Sequence, residues 1–391
     1  MSKEHLGGKN PVRPVPPHLD RESPFHKAWE EFMSLHPRTE SVVRLDQEAA
    51  IVADLGTGTP VLVRGNWRIG KTSMILTVAK AHFQDESAMY IDVGHYAGSK
   101  SESSPEGFRK LFGIDHVRDL IVDKENVDQG SPSYYDRPRR EEVKKDIIDS
   151  DKGAFEYLND YLNARGEHAV VGIDEVIGYS GRPEMLQHIA DISKFPSIRL
   201  MVVLHRFHEH EPMFRSLFES FDSQYIRTLA LEETARLVRH GLRETPIKFT
   251  DGAVEAVHEF TGGRPMEINN LCAAMFDPFR VSDYAIHRDV YEAKDILKFT
   301  EEDFWKTREV FQVATHTYER VFRHAMSAQE RALISGLLKG ENFLDGDVSS
   351  LAEVNAVRKD PNTGRWHING RLFQRIMEEQ IEIDKVAKKC I

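Results

Sequence analysis

Gly65-Asn66-Trp67-Arg68-Ile69-Gly70-Lys71-Thr72-Ser73 is the stretch whose reading decides the fold. It has the spacing G-x-x-x-x-G-K-[ST], follows the apolar run Pro60-Val61-Leu62-Val63 and leads into an amphipathic segment. Such a loop joins a buried strand to a helix. Its glycines let successive backbone NH groups face a phosphate, and the helix adds its positive N-terminal end. Lys71 is expected to reach the β/γ oxygens and Thr72 to offer its hydroxyl to Mg2+. Gly65 to Ser73 is therefore the expected cradle of a nucleoside triphosphate.

Binding alone needs only the loop; hydrolysis needs a carboxylate-bearing strand beside it. His168-Ala169-Val170-Val171-Gly172-Ile173-Asp174-Glu175 has the form of a buried parallel strand whose C-terminal end faces the ligand. Asp174 is expected to hold the Mg2+ shell together with Thr72, and Glu175 to orient and polarise the attacking water. The Asn-Lys-x-Asp tetrapeptide of guanine-specific P-loop proteins occurs nowhere in the chain. Adenine is the expected base, so ATP with Mg2+ is the expected cofactor pair.

Composition bounds the setting. A chain of 391 residues suggests two or three domains with ample core. A net charge of -11 and a pI near 5.9 argue against wholesale attraction to nucleic acid or to an anionic membrane. Two cysteines, Cys272 and Cys390, fit a reducing compartment without a disulfide framework. The opening residues are polar and no apolar stretch reaches membrane-spanning length, so the expectation is a cytoplasmic protein that makes no membrane contact. The run His208-Glu209-His210-Glu211 lacks the spacing of a zinc site.

Along the chain, residues 1–24 carry five prolines and read as an extended leader. Phe25, Trp29, Phe32 and Met33 then recur at helical spacing, and a second helix is expected from Asp46 to Leu55. Met89-Tyr90-Ile91-Asp92-Val93 is a second buried strand. The next strand begins only near Ala169, about 75 residues later, where one crossover helix would suffice. The charged middle of this insertion, Asp136 to Asp146, mixes both signs and is expected to be a solvated loop and exposed helix start, the alternative being a loop that meets a partner or nucleic acid. A helix around Met185 to Ile192 precedes the strand Ile198 to Leu204, and alternation of strands with helices implies a parallel α/β sheet. His205, at the end of that strand, is expected level with the γ-phosphate as a sensor, with Arg206 as second candidate.

Tyr225 to Ala235, Phe249 to Val254 and Phe260-Thr261-Gly262-Gly263-Arg264-Pro265-Met266-Glu267-Ile268 resemble the lid region of archaeal-type P-loop ATPases in the AAA+/STAND group. Arg68, Gly70, Lys71, Thr72 and Ser73 match that group's P-loop. The resemblance covers about residues 40 to 280 and weakens toward the C-terminus. It implies a helical lid over the nucleotide, with Pro265 at the first turn of a helix beside the phosphates. Arg264 would point into the cleft and report nucleotide state by moving the lid, or alternatively make a lid salt bridge. Arg227 and Arg215 are candidate fingers toward a neighbouring subunit. Trp67 and His205 depart from the group's usual residues.

Beyond residue 300, Phe304, Phe311, Tyr318, Val321 and Phe322 keep helical spacing, and Ser327-Ala328-Gln329-Glu330 is a capping box. A hairpin is expected about Asp360-Pro361-Asn362-Thr363-Gly364, then a helix from Leu372 to Gln380, a succession that resembles a winged helix. Residues 356–391 hold eight Lys/Arg and five Asp/Glu. The sequence thus divides into a leader (1–24), a P-loop core (25–228) with an insertion at about 100–165, a lid (229–298) and a winged-helix-like C-terminal domain (299–391). The expected protein is an AAA+/STAND-like P-loop NTPase that binds and hydrolyses ATP as a switch, acting as a homo-oligomer or with a protein partner in signalling or defence. Alternatives are a DNA-binding ATPase for remodelling, replication initiation or transposition, with Arg365, Arg371 and Arg375 as first contacts, and a nucleotide-locked scaffold with negligible turnover.

Overall fold

The computed structural model describes residues 24–33, 43–65, 69–83, 87–93, 105–129, 137–174, 176, 182–205, 212–276, 289–302 and 312–389. In chain order the elements are α1 (Pro24–Met33), α2 (Leu45–Gly56), β1 (Val61–Gly65), α3 (Lys71–His82) and β2 (Ser87–Asp92). Four helices follow, α4 (Pro105–Leu111), α5 (Ile114–Gln129), α6 (Arg137–Asp149) and α7 (Ala154–Asn163). Then come β3 (Ala169–Asp174), α8 (Pro183–Asp191), β4 (Ile198–His205), α9 (Pro212–Leu217) and β5 (Asp222–Tyr225). The remainder is α10 (Leu231–Gly241), β6 (Lys248–Phe249), α11 (Asp251–Thr261), α12 (Pro265–Phe276), β7 (Val290–Tyr291), α13 (Ala293–Glu302), α14 (Gln312–Arg320), α15 (Ala328–Leu338), α16 (Asp345–Glu353), β8 (Val357–Lys359), β9 (Trp366–Ile368) and α17 (Arg371–Lys389).

Five strands form one parallel sheet in the order β2-β3-β4-β1-β5. β3 is buried at every position, as a central parallel strand covered on both faces must be. The chain leaves β1 at one side of the sheet and returns at β2 on the far edge, so β1 lies beside a reversal of strand order, where open α/β sheets keep their ligand crevice. β5 is an addition to the sequence reading. Its residues Asp222-Ser223-Gln224-Tyr225 are exposed or half-exposed and carry no apolar run, as an edge strand can.

Strand alternation sends Val61, Val63, Val170, Met201 and Val203 to one face, against Ile51, Leu55, Ile75 and Val78 of α2 and α3. The opposite face receives Leu62, Ile91, Val171, Ile173 and Val202, packed under α8 and under the insertion through Phe108, Phe112, Val117, Phe155 and Leu158. The insertion is therefore a core layer. Within it α6 is the exposed helix start read from the sequence, its described charged residues exposed or half-exposed, but Val143 and Ile147 are buried, while Arg139 pairs with Glu125 and Glu142, Arg140 with Asp119 and Asp123, and Lys144 with Asp115. Apart from the Arg139–Glu142 pair within α6, these are rungs between α6 and the facing surface of α5.

A further core runs continuously from α1 through α10–α13 into the C-terminal helices, joining Phe32, Val257, Leu271, Phe276, Phe322, Leu351 and Phe373. β6 and β7 form a two-residue parallel ladder, and β8 and β9 the antiparallel hairpin read from the sequence. The capping box forms as read: Ser327 Oγ accepts from Glu330 N at 3.1 Å, and the Glu330 carboxylate accepts from Ser327 N at 2.8 Å.

Candidate functional site

β1 ends at Gly65 and α3 starts at Lys71, with Gly70 at φ 93° as the residue before the helix. Asn66, Trp67 and Arg68 lie outside the described residues; Ile69 is buried. Lys71 is 5% exposed, and its Nζ donates to the carbonyl of Gly65 at 3.1 Å, so the ammonium folds back across the loop. No acidic side chain occupies the first turn of α3. The loop, the helix N-terminus and the ammonium together favour an anion. Ser73 follows in the same first turn and is exposed.

Thr72 and Asp174 are 102 residues apart in sequence, yet Thr72 Oγ1 donates to Asp174 Oδ2 at 2.5 Å. The close approach depends on Gly172, two residues before Asp174 on the same face of β3. A Cβ there would collide with Ile75 Cγ2 of α3, one turn past Thr72. Without a side chain at 172 the helix settles onto the strand and brings its first turn to the strand end. Asp174 is 3% exposed, and its Oδ2 also accepts from the Tyr90 hydroxyl of β2 at 3.2 Å. Burial, and next the Asp174 charge, push the Tyr90 phenol above its ordinary value, which keeps it a donor. A hydroxyl and a carboxylate in contact are oxygen ligands suited to Mg2+, which takes one or two protein groups and completes its shell with phosphate and water. The residues present therefore fit that ion.

Glu175 and Arg206 lie outside the described residues. The backbone of His205 is the last residue of β4 and stands in register with Gly65, level with the start of the loop. Pro265 opens α12, and its Cγ would sit 3.9 Å from a Cβ on Gly70, so the start of α12 lies over the loop. The turn before it is pinned to the chain between β5 and α10, since Leu229 N donates to Gly263 O at 2.7 Å. Gly263, at φ 71°, admits no side chain there because a Cβ would strike the Leu229 carbonyl.

Arg264 departs from expectation. Its guanidinium points away from the loop, Nη1 donating to the carbonyls of Thr261 at 3.1 Å and Asn369 at 3.0 Å, and Nη2 to that of Asn355 at 3.2 Å. The rings of Tyr318 and Phe373 flank it at 5.5 and 5.1 Å. It is 4% exposed, and burial lowers its pKa, opposed by Glu267. Adjacent residues of one turn face opposite ways, so Pro265 lies over the loop while Arg264 fills the seam against the C-terminal helices and hairpin.

Arg227 is likewise held within the chain. It forks onto Glu233, with one bond at 2.5 Å and another at 3.1 Å, and reaches Asp46 at 3.3 Å. Arg215 on α9 is exposed. The residue missed by sequence reading is Arg44, which stood in the apolar run Val42-Val43-Arg44-Leu45. It is 3% exposed with φ 60°, its Nη1 would lie 3.0 Å from a Cβ on Gly70, and its Nη2 donates to the Arg227 carbonyl at 2.7 Å. Its backbone NH donates to Glu233 at 3.1 Å. Burial, the largest influence, lowers its pKa to about 10 against the pull of Glu233. The one signal available was a charged residue inside an apolar run just ahead of a helix.

No protein-family model and no curated protein matches the sequence. Solved structures do match the fold. A Walker-type ATPase of Pyrococcus abyssi aligns with TM-score 0.53 at 16% identity, covering 89% of this chain and 99% of that one. This chain has a P-loop NTPase fold. The Aeropyrum pernix ORC2 protein, solved as ADPNP-ADP complexes, aligns with TM-score 0.50 at 13% identity over 91% of this chain and 98% of its own. At such identities the likeness extends to the fold alone, and the chemistry rests on the residues gathered at the end of β1 and β3. Among the described residues no helix is long and apolar enough to cross a membrane.

Proposed function

We propose that the chain is a Mg2+-dependent ATPase acting as a switch. The reading rests on the contact of Thr72 with Asp174 at 2.5 Å beside a lysine folded over a glycine loop. Hydrolysis through a positioned water requires metal ligands and a charge clamp assembled before substrate arrives. Lys71 would hold the β/γ oxygens, and Thr72 and Asp174 would hold Mg2+, which when bound would supply positive charge at the phosphates. Glu175 orients the attacking water, and His205 stands level with the γ-phosphate as its sensor.

The switch is read from a three-part organisation: a P-loop core over 25–228, a lid over 229–298 and a winged-helix-like domain over 299–391. Pro265 over Gly70 and Arg264 in the C-terminal carbonyls are neighbours in one turn, so nucleotide pressing on the lid turn also loads the seam with the winged helix. Such a coupling would suit partner binding or self-assembly, and the setting we propose for it is a signalling or defence role in the cytoplasm. The DNA-remodelling alternative has less support from the C-terminal cations: Arg371 pairs with Glu301, Lys359 with Asp345, and Arg375 donates to the Thr300 carbonyl.

Steady-state hydrolysis of MgATP, with and without duplex DNA across a salt series, tests the reading. Lys71→Ala is expected to lose about 100-fold in ATP affinity, as removal of a charged donor does. Glu175→Gln should bind ATP and fail to turn it over. Wild-type turnover by Glu175→Gln would refute the catalytic assignment, and DNA stimulation that fades with salt would favour the remodelling alternative.

A further inference from the structure

Tyr90 belongs to no part of the phosphate loop or of the Asp-Glu strand end, yet its hydroxyl reaches the buried carboxylate of that strand end. The register explains how. Tyr90 on β2 stands opposite Gly172 on β3, and Asp92 opposite Asp174. Side chains directly opposite in a parallel pair point to the same face, so Tyr90, Asp92 and Asp174 all lie on the α3 face. Opposite Tyr90 there is no side chain, and the phenol can lean diagonally along the strands to the residue two places further on, within reach of an aromatic. The same glycine that admits Ile75 of α3 therefore admits the phenol. Thr72 from above and Tyr90 from the side converge on one oxygen, Asp174 Oδ2, at 2.5 and 3.2 Å.

A carboxylate that must present one geometry to a small, strictly octahedral ion gains from a second donor that fixes its rotation. We propose that Tyr90 is a positioning residue for the divalent-cation site, its hydroxyl orienting Asp174 so that the carboxylate and the Thr72 hydroxyl face the metal together. This rests on the ATPase reading above and adds to it a residue that tunes metal affinity through Asp174. The ring also covers the α3 face of the sheet beside the Ile75–Val170 packing, so the test removes only the oxygen.

Tyr90→Phe in the full chain keeps the ring and removes the donor. Mn2+ serves as probe, its free concentration read by electron paramagnetic resonance in the presence of ADP, so that turnover plays no part. ADP affinity is measured separately in EDTA. Tyr90→Phe is expected to weaken Mn2+ binding about 10-fold, the loss typical of an outer-sphere partner, while ADP affinity in EDTA stays within about twofold. Unchanged or tighter Mn2+ binding overturns the proposal, and so does an equal loss of ADP affinity in EDTA, which would mark a general distortion of the site. Asp174→Asn separates the two levels of argument. If it abolishes Mn2+ binding and Tyr90→Phe does not alter it, only the role of Tyr90 falls; if Asp174→Asn also leaves Mn2+ binding intact, the metal site itself is misplaced.

Discussion

Two arginines buried to nearly the same degree, Arg44 at 3% exposure beside Gly70 and Arg264 at 4% in the seam against Asn355 and Asn369, face different tasks. Arg264 spends its guanidinium on three backbone carbonyls and two aromatic faces. Among the described residues the Arg44 side chain makes one hydrogen bond, and its Nε has no partner. A buried cation saturated by carbonyls is a structural tie. One held beside a phosphate loop with donors to spare contributes charge to an edge already built for an anion. Burial of a charged residue therefore does not reveal its role; the distribution of its donors does.

The largest test of that contrast is Arg264→Ala. It leaves the carbonyls of Asn355 and Asn369 without this donor in a buried seam and is expected to lower unfolding stability by about 3 kcal/mol in denaturant titration, with ATP binding retained. Arg264→Lys should restore little, because an ammonium lacks the planar fork that spans three carbonyls. A stable Arg264→Ala that binds ATP poorly would reverse the comparison and return Arg264 to the nucleotide.

A second contrast lies between a half-buried histidine of α8, beside the insertion, and the exposed, many-partnered charges of the insertion itself. His188 of α8 packs edge-on against Phe108 and Phe112, and its Nε2 has no partner among the described residues. Burial lowers its pKa from 6.5 to about 4. The unfolded chain then takes up the proton first, so stability is full above pH 6.5 and falls as pH drops toward 4. The loss expected is about 2 kcal/mol, reduced from the full linkage value because the ring is only half-buried. Chemical denaturation across that range should show the slope, and His188→Leu should flatten it.

The smallest effect is expected at the ion pairs of α5 and α6. Arg139 is fork-paired to Glu125, yet its side chain is 36% exposed. Arg139→Ala should cost no more than about 1 kcal/mol in thermal unfolding at moderate salt. A loss as large as that of Arg264→Ala would mean that these rungs, rather than Val143 and Ile147, hold α6 to the sheet.

Legibility followed the range of the forces involved. The P-loop, the apolar strands, the Ser327 capping box and the β8–β9 hairpin were read from sequence because each is encoded within a few consecutive residues. β5 was missed because an edge strand of Asp, Ser, Gln and Tyr has no apolar period. The exposed start of α6 was legible, but its buried Val143 and Ile147 were not, because the helix that its charges face is not placed by the sequence alone.

The P-loop fold was legible from local chemistry alone, because glycine spacing, a strand and a helix start lie within a few consecutive residues, and the phosphate contacts proposed for it rest on the same stretch. Only the tertiary structure decided that Thr72, Tyr90 and Asp174 share one carboxylate oxygen, that Arg44 abuts the loop, and that Arg264 turns its back on it. Those facts depend on a glycine at 172 that lets a helix and a phenol descend onto the sheet, and on which side of a two-glycine turn each side chain leaves the backbone. Neither can be computed from neighbours in sequence, since the partners lie tens to hundreds of residues away.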